Sequence, residues 1–255
     1  MEHYKKYISF ILQLIFWSIL IYSIAEIVKW YIYNKQNKEV MEEISNAIVV
    51  VESIKKEESK PTENYYEIDF DALKMVNNDT VAFLKVNGTE IEYPVVKTNN
   101  NNYYLNHNFN KTYNAAGWIF ADYRNKLDET DKNIVIYGHN RKNGTMFSSL
   151  KNILSKQWYT NKDNLKIKLI TENKEILYEV FSIYQIEKEV YYLQTDFNDD
   201  NEYMNFVNTL KSRSIINFGV DVTVEHQILT LSTCANNNDY RVVLHARSII
   251  GRGDN

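Results

Sequence analysis

Residues 7–25, YISFILQLIFWSILIYSIA, carry no charge, and Gln13 is their most polar member. A helix rises about 1.5 Å per residue, so crossing a hydrocarbon layer of ~30 Å takes about 20 residues. With Ile27 and Val28 added, the run is long enough to span a bilayer. Lys5 and Lys6 stand just before it. The positive-inside tendency therefore keeps residues 1–6 in the cytoplasm and exports the chain beyond the span, although Lys29 and Lys35 moderate the bias. A cleaved signal peptide needs a shorter apolar region and a small-x-small site, and Ser23-Ile24-Ala25 meets only the second condition. A buried core helix is the remaining alternative, disfavoured by a run of this length at the N-terminus. The expectation is a single-pass anchor over residues 7–28, with the rest of the chain extracellular.

Behind the anchor the chain changes character. Val40, Ile44, Ala47, Ile48 and Val51 recur at steps of three and four, the stripe of a stalk or packing helix. Residues 55–64, KKEESKPTEN, are charged and hold Pro61, so they read as a linker. Residues 29–64 are thus expected to form a helical stalk and linker, and residues 65–255 one folded domain, near the usual size for a single core. Strand signals dominate there. Residues 81–86 and 89–96 flank Asn87-Gly88 and predict a hairpin with a type I′ turn. Residues 117–121, 134–137, 165–170, 176–186, 227–232 and 241–249 predict further strands. Helical patterns cover only residues 71–77, 146–154 and 202–212. Many strands with few helices predict a mostly β domain, a barrel or sandwich with decorating helices.

Composition removes several function classes. A single Cys excludes an internal disulfide framework. With 29 Lys+Arg against 33 Asp+Glu, the net charge of −4 gives no electrostatic reason to expect nucleic-acid binding. There is no HExxH, second Cys, GxGxxG or Walker loop, so neither a metal nor a nucleotide cofactor is expected. Four Asn-x-Thr triplets (at Asn78, Asn87, Asn110 and Asn143) and Arg252-Gly253-Asp254 are too short to carry a function.

The lone Cys is Cys234. It follows the β run LTLST and opens onto the polar stretch ANNND. A free Cys is commonly a small buried hydrophobe, but one at a strand end with a His available is a candidate nucleophile. His139 follows IVIYG at another strand end, and Arg241 opens the strand RVVLHARSI. If the strands of Cys234 and Arg241 pair as neighbours, the two residues share one end of the sheet. His245 then lies about 13 Å away at ~3.3 Å per residue, too far to partner the thiol, and reads as structural. His226 and His107 read as surface and loop residues, and His3 precedes the span. The set suits acyl transfer. A thiolate attacks an amide carbonyl, an imidazole moves the proton, and a guanidinium steadies the oxyanion.

With these residues the sequence resembles the sortases, cysteine transpeptidases of Gram-positive cell surfaces. The resemblance is carried by Thr230-Leu231-Ser232-Thr233-Cys234, by Arg241 on the next strand and by Tyr137-Gly138-His139-Asn140. Tyr93-Pro94-Val95-Val96, Tyr103-Tyr104-Leu105-Asn106 and Asp122-Tyr123-Arg124-Asn125 match further, and the likeness covers residues 71–249. The helical pattern at 202–212 and the N-terminal helix are similar to class B. The resemblance implies an eight-stranded β-barrel and cleavage of a surface protein's sorting signal after its Thr. It also implies a thioacyl-enzyme resolved by an amine of a peptidoglycan precursor or cross-bridge. Cys234 is then the nucleophile, His139 the acid/base and Arg241 the oxyanion stabiliser. By the same likeness, matching positions imply that Asn101, Leu105, Tyr192, Leu193 and Ser232 line the substrate groove. Some class B members carry an acidic residue after the cysteine, where this chain has Ala235. A cysteine endopeptidase releasing product to water and a non-catalytic surface-binding module are the alternatives.

Overall fold

The computed structural model describes residues 2–52, 64–141, 143–187, 189–234 and 240–249. The chain opens with α1 (Glu2–Ile44), one unbroken helix of 43 residues. No part of its apolar window is buried against the rest of the protein. Its C-terminal end behaves differently: Val40 and Ile44 are buried and join the barrel's core.

The helical stripe expected to run on to Val51 stops at Ile44. After a 3₁₀ turn at Ser45–Ala47, the chain forms β1 (Ile48–Glu52). Four consecutive β-branched residues, Ile48-Val49-Val50-Val51, crowd a helix at χ1 but suit a pleated ribbon. β1 pairs antiparallel with β2 (Asn64–Ile68), with Ile48 opposite Ile68. Residues 55–63 of the expected linker, with residues 235–239 and Arg252-Gly253-Asp254, lie outside the described residues.

The domain then builds α2 (Phe70–Val76), β3 (Thr80–Val86), β4 (Ile91–Val96), β5 (Phe120–Ala121), β6 (Asn133–Gly138) and α3 (Lys156–Tyr159). β7 (Lys166–Ile170), β8 (Glu175–Glu187), α4 (Asp200–Arg213), β9 (Ile228–Cys234) and β10 (Tyr240–Ser248) complete it. Eight strands close a barrel in the order β10-β8-β7-β3-β4-β5-β6-β9, as the resemblance implies. Most pairs are antiparallel, but β4–β5 and β6–β9 run parallel.

Three local expectations need correction. The β3–β4 hairpin closes with Val86 opposite Ile91, so the loop holds four residues instead of a two-residue type I′ turn. Thr89 explains the longer loop: its hydroxyl donates to the Val86 carbonyl (2.8 Å) and accepts from the Ile91 amide (3.1 Å). The strand expected at 117–121 shrinks to Phe120–Ala121. Gly117 takes φ +59° and Trp118 gives its amide to the Tyr104 carbonyl, so ahead of Phe120 only Ile119 O reaches β4, accepting from the Val96 amide. The helix expected at 146–154 is a 3₁₀ turn at Ser148–Leu154.

The barrel interior is packed with Leu84, Val95, Trp118, Ile136, Leu169, Ile183, Leu231 and Leu244, all buried. Burial of side chains of this size is worth about 1.5–3 kcal/mol each. Outside the barrel, α4 lays Tyr203, Phe206, Val207 and Leu210 against Phe181, Tyr184 and Val243. Asp199 caps α4 by accepting from the Glu202 amide, and Lys211 and Arg213 stand in the last turn, where the helix dipole favours cations.

Candidate active site

Parallel pairing of β6 and β9 places their C-terminal ends together. Tyr137 is opposite Ser232 and Gly138 opposite Thr233. His139 and Cys234 are the next residues on each chain, so they leave the barrel at one rim. β10 runs back antiparallel, with Arg241 opposite Cys234. The neighbour pairing expected from the sequence therefore holds, and three separated positions converge through ladder register. Cys234 is located by its backbone.

Beside this rim lies a cleft of about 240 Å³. His139 and Arg241 line it, as do all five expected groove residues: Asn101, Leu105, Tyr192, Leu193 and Ser232. Five others on its walls, Phe120, Tyr137, Gly138, Glu189 and Val190, are not among the groove residues expected from the sequence. Tyr137 and Gly138 were visible within the YGHN motif. Phe120 falls in the strand expected at 117–121, a pattern that marks structure but no site, and Glu189 and Val190 lie outside any strong pattern.

His139 is half-buried, and its Nε2 lies 2.8 Å from the Leu105 carbonyl. A carbonyl only accepts, so Nε2 carries the hydrogen and Nδ1 is the acceptor of the neutral ring. Burial holds its pKa below the usual imidazole range, the charges of Arg141 and Arg241 add to this, and the Leu105 carbonyl opposes it. The shift favours the neutral form of the ring. Gly117 packs against it: a Cβ there would meet Tyr104 O at 2.5 Å and His139 Cδ2 at 2.9 Å.

The 3₁₀ turn Tyr191–Leu193 forms one wall of the cleft. Tyr192 is buried and its hydroxyl pairs with Ser232 Oγ at 2.9 Å. Asn133 holds the same turn from inside, donating to Tyr192 O (3.3 Å) and Gln194 O (2.8 Å).

None of the other described histidines lines the cleft. His245 is buried between Tyr184 (2.8 Å) and Thr230 (2.9 Å), in the structural role expected of it. His107 stacks on Tyr103 with ring centroids 4.0 Å apart. His226, expected on the surface, is half-buried with Nε2 2.6 Å from Arg247 Nη1. Among the described residues no three His, Cys, Asp or Glu side chains gather as a metal site.

Comparison with known proteins agrees with this architecture. The Sortase domain family model matches residues 84–249. Sortase B of Staphylococcus aureus (strain NCTC 8325 / PS 47) is 34% identical over 233 residues, 90% of each chain. Among solved structures, sortase B from Bacillus anthracis in complex with AAEK1 superposes with a TM-score of 0.73 at 31% identity, covering 87% of this chain and 100% of that one. The Staphylococcus aureus sortase B–substrate complex gives 0.66 at 34% identity, over 71% and 84%.

Proposed function

The chain belongs to the sortase family of cysteine transpeptidases, with class B members as its relatives, and we propose that it joins surface proteins to the cell wall through Cys234. The observation that carries this reading is the register that brings His139, Cys234 and Arg241 to one rim over the cleft.

The steps come from the residues. The Cys234 thiol gives its proton to the neutral His139 ring, and the sulfur attacks the carbonyl carbon of the signal's Thr. Negative charge gathers on the carbonyl oxygen, where the Arg241 guanidinium opposes it in a site partly closed to water. The intermediate collapses, the C–N bond breaks, and the imidazolium protonates the departing amine. A thioacyl-enzyme remains. A peptidoglycan amine then attacks the thioester, its proton passes to His139, and the sulfur leaves. Asn101, Leu105, Tyr192, Leu193 and Ser232 form the walls that hold the signal peptide in this reading. The solved complex of the Staphylococcus aureus relative with its substrate supports peptide binding in this family.

The same proposal gives α1 residues 7–28 the role of membrane anchor, with residues 1–6 cytoplasmic and the domain from residue 65 outside the cell. The exposed apolar window of α1 supports it.

The test is to incubate the detergent-solubilised full chain with a panel of Thr-containing sorting-signal peptides and record the protein's mass. Wild type should gain the acyl fragment and Cys234→Ala should not. Identical spectra would remove the mechanism. Arg241→Lys should lose about 10²–10³-fold in turnover, since a point charge does not reproduce the planar fork. Adding oligoglycine or a diaminopimelate-type amine should convert hydrolysed product to ligated product. Hydrolysis alone with both amines would favour the endopeptidase.

A further inference from the structure

Asp122 follows β5 in a turn, and its side chain is fully shielded from solvent. A buried carboxylate survives only when donors replace its lost hydration. Five hydrogen bonds do so here. Arg124 supplies its amide (3.0 Å), Nε (2.8 Å) and Nη2 (2.7 Å). Asn101 Nδ2 donates at 2.9 Å and the Tyr137 hydroxyl at 2.7 Å.

The origin of these donors gives the arrangement its meaning. Tyr137 lies on β6, two residues before His139. Asn101 lies in the loop before the 3₁₀ turn Tyr103–Leu105, and its Oδ1 accepts from the Tyr123 amide at 3.0 Å, which fixes both ends of the amide. Arg124 reaches onward with Nη2 to Leu193 O at 2.9 Å. Asn101, Tyr137 and Leu193 stand on three different walls of the cleft. The Asn101 and Leu193 walls are loop segments outside the barrel strands, so no ladder holds them at a set separation. An ion pair serving only to stabilise a turn would need none of these partners.

We propose that Asp122 and Arg124 are positioning residues that clamp the three walls of the cleft and so set the fit of the sorting-signal peptide. The inference rests on the transpeptidase reading above. Neither residue acts on the reacting atoms. Asp122 gathers Asn101 and Tyr137, and the Arg124 fork bridges that centre to the backbone of the Tyr191–Leu193 turn. A lysine can restore the charge beside Asp122, but its single ammonium cannot reproduce a bidentate pair and also reach Leu193 O.

The experiment compares full-length Arg124→Ala, Arg124→Lys and Asp122→Asn with wild type, using the panel peptide that wild type turns over fastest. KM, kcat, melting temperature and the rate of Cys234 alkylation by iodoacetamide are measured on each. The clamp predicts KM raised about tenfold in Arg124→Ala, with kcat within about threefold and alkylation unchanged. Arg124→Lys should recover melting temperature yet keep the raised KM. Asp122→Asn puts an amide donor against donors and should raise KM further. If Asp122→Asn does not fold, the two Arg124 variants decide alone. The inference is overturned if Arg124→Lys restores KM along with stability, if kcat falls while KM stays, or if Arg124→Ala turns over normally. Failure of wild type itself to form an adduct would strike the transpeptidase reading instead.

Discussion

His245 shows how one side chain can be chemically conspicuous and still stand outside the reaction. It lies four positions along β10 from Arg241, opposite Thr230, with Tyr184 on the other ring nitrogen. Burial drives its pKa down to about 3 from an ordinary value near 6.5. A folded-state value below the unfolded one means that the unfolded chain binds the proton more readily. The stabilising contribution is present above about pH 6.5 and is lost as pH falls towards 3, at up to ~1.4 kcal/mol per pH unit. Replacing His245 with Gln should flatten the fall in melting temperature between pH 7 and pH 5. Parallel profiles for variant and wild type would show that the ring does not carry the acid sensitivity. Gly117 makes the opposite case, a residue without chemistry that the active site needs. At φ +59° with the Tyr104 carbonyl and the His139 ring against it, Gly117→Ala should displace the ring and cut kcat at least tenfold. A normal kcat would show that the imidazole tolerates the shift. Cys234, His139 and Arg241, the residues proposed for the chemistry, stand out in the sequence because each sits at the edge of a strong β run. Asp122 also follows an expected strand and lies in the Asp122–Asn125 match, but nothing local marks its role, which depends on donors from Asn101, Tyr137 and Arg124, and only the fold brings Asn101 and Tyr137 to it.

At the scale of elements, long runs of apolar residues wrote their own structure and short irregular ones did not. β3, β6, β8, β9 and β10 each have enough alternation or β-branching to be read locally. β5 has two residues, and its place between β4 and β6 is settled by pairing on both sides. The stripe at Val40 and Ile44 was visible as a packing face, whereas its partner was not, because that contact joins α1 to the barrel core and to Asn114, distant in sequence. Asn114 Nδ2 lies 3.0 Å from both Tyr33 O and Asn37 Oδ1, and Asn143 Nδ2 lies 2.7 Å from Asn34 Oδ1. These contacts make the end of α1 a part of the folded unit. Ile44→Ala should destabilise the full chain by about 2–5 kcal/mol, the range for truncating a buried Ile. A loss under about 0.5 kcal/mol in denaturant unfolding, the size of an ordinary surface change, would mean that the α1 contact is dispensable.

On the scale of the whole molecule, the proposed anchor and the docked segment are parts of one helix. Val28 ends the apolar run and Tyr33 begins the contacts with the barrel, only about 7.5 Å further along at 1.5 Å per residue. No break intervenes, so in the anchor reading the barrel would inherit its height and tilt from the span. The His139 segment lies near this junction, since Arg141 Nη1 donates to Ala115 O and Asn143 meets Asn34. A rigid mount offers nothing to a freely diffusing peptide. It matters for a protein substrate that is itself tethered to the bilayer, whose signal must meet the cleft at one distance from the surface. Inserting Gly-Ser-Gly-Ser between Lys29 and Trp30 should therefore leave turnover of a soluble peptide within about twofold in proteoliposomes. Turnover of a membrane-tethered substrate should fall at least fivefold. Inserting a helical heptad, which keeps the mount stiff but raises it by about 10 Å, should also fail on the tethered substrate. Equal loss on both substrates would mean that the insertions damage the barrel, and no loss on either would mean that the junction is a simple leash.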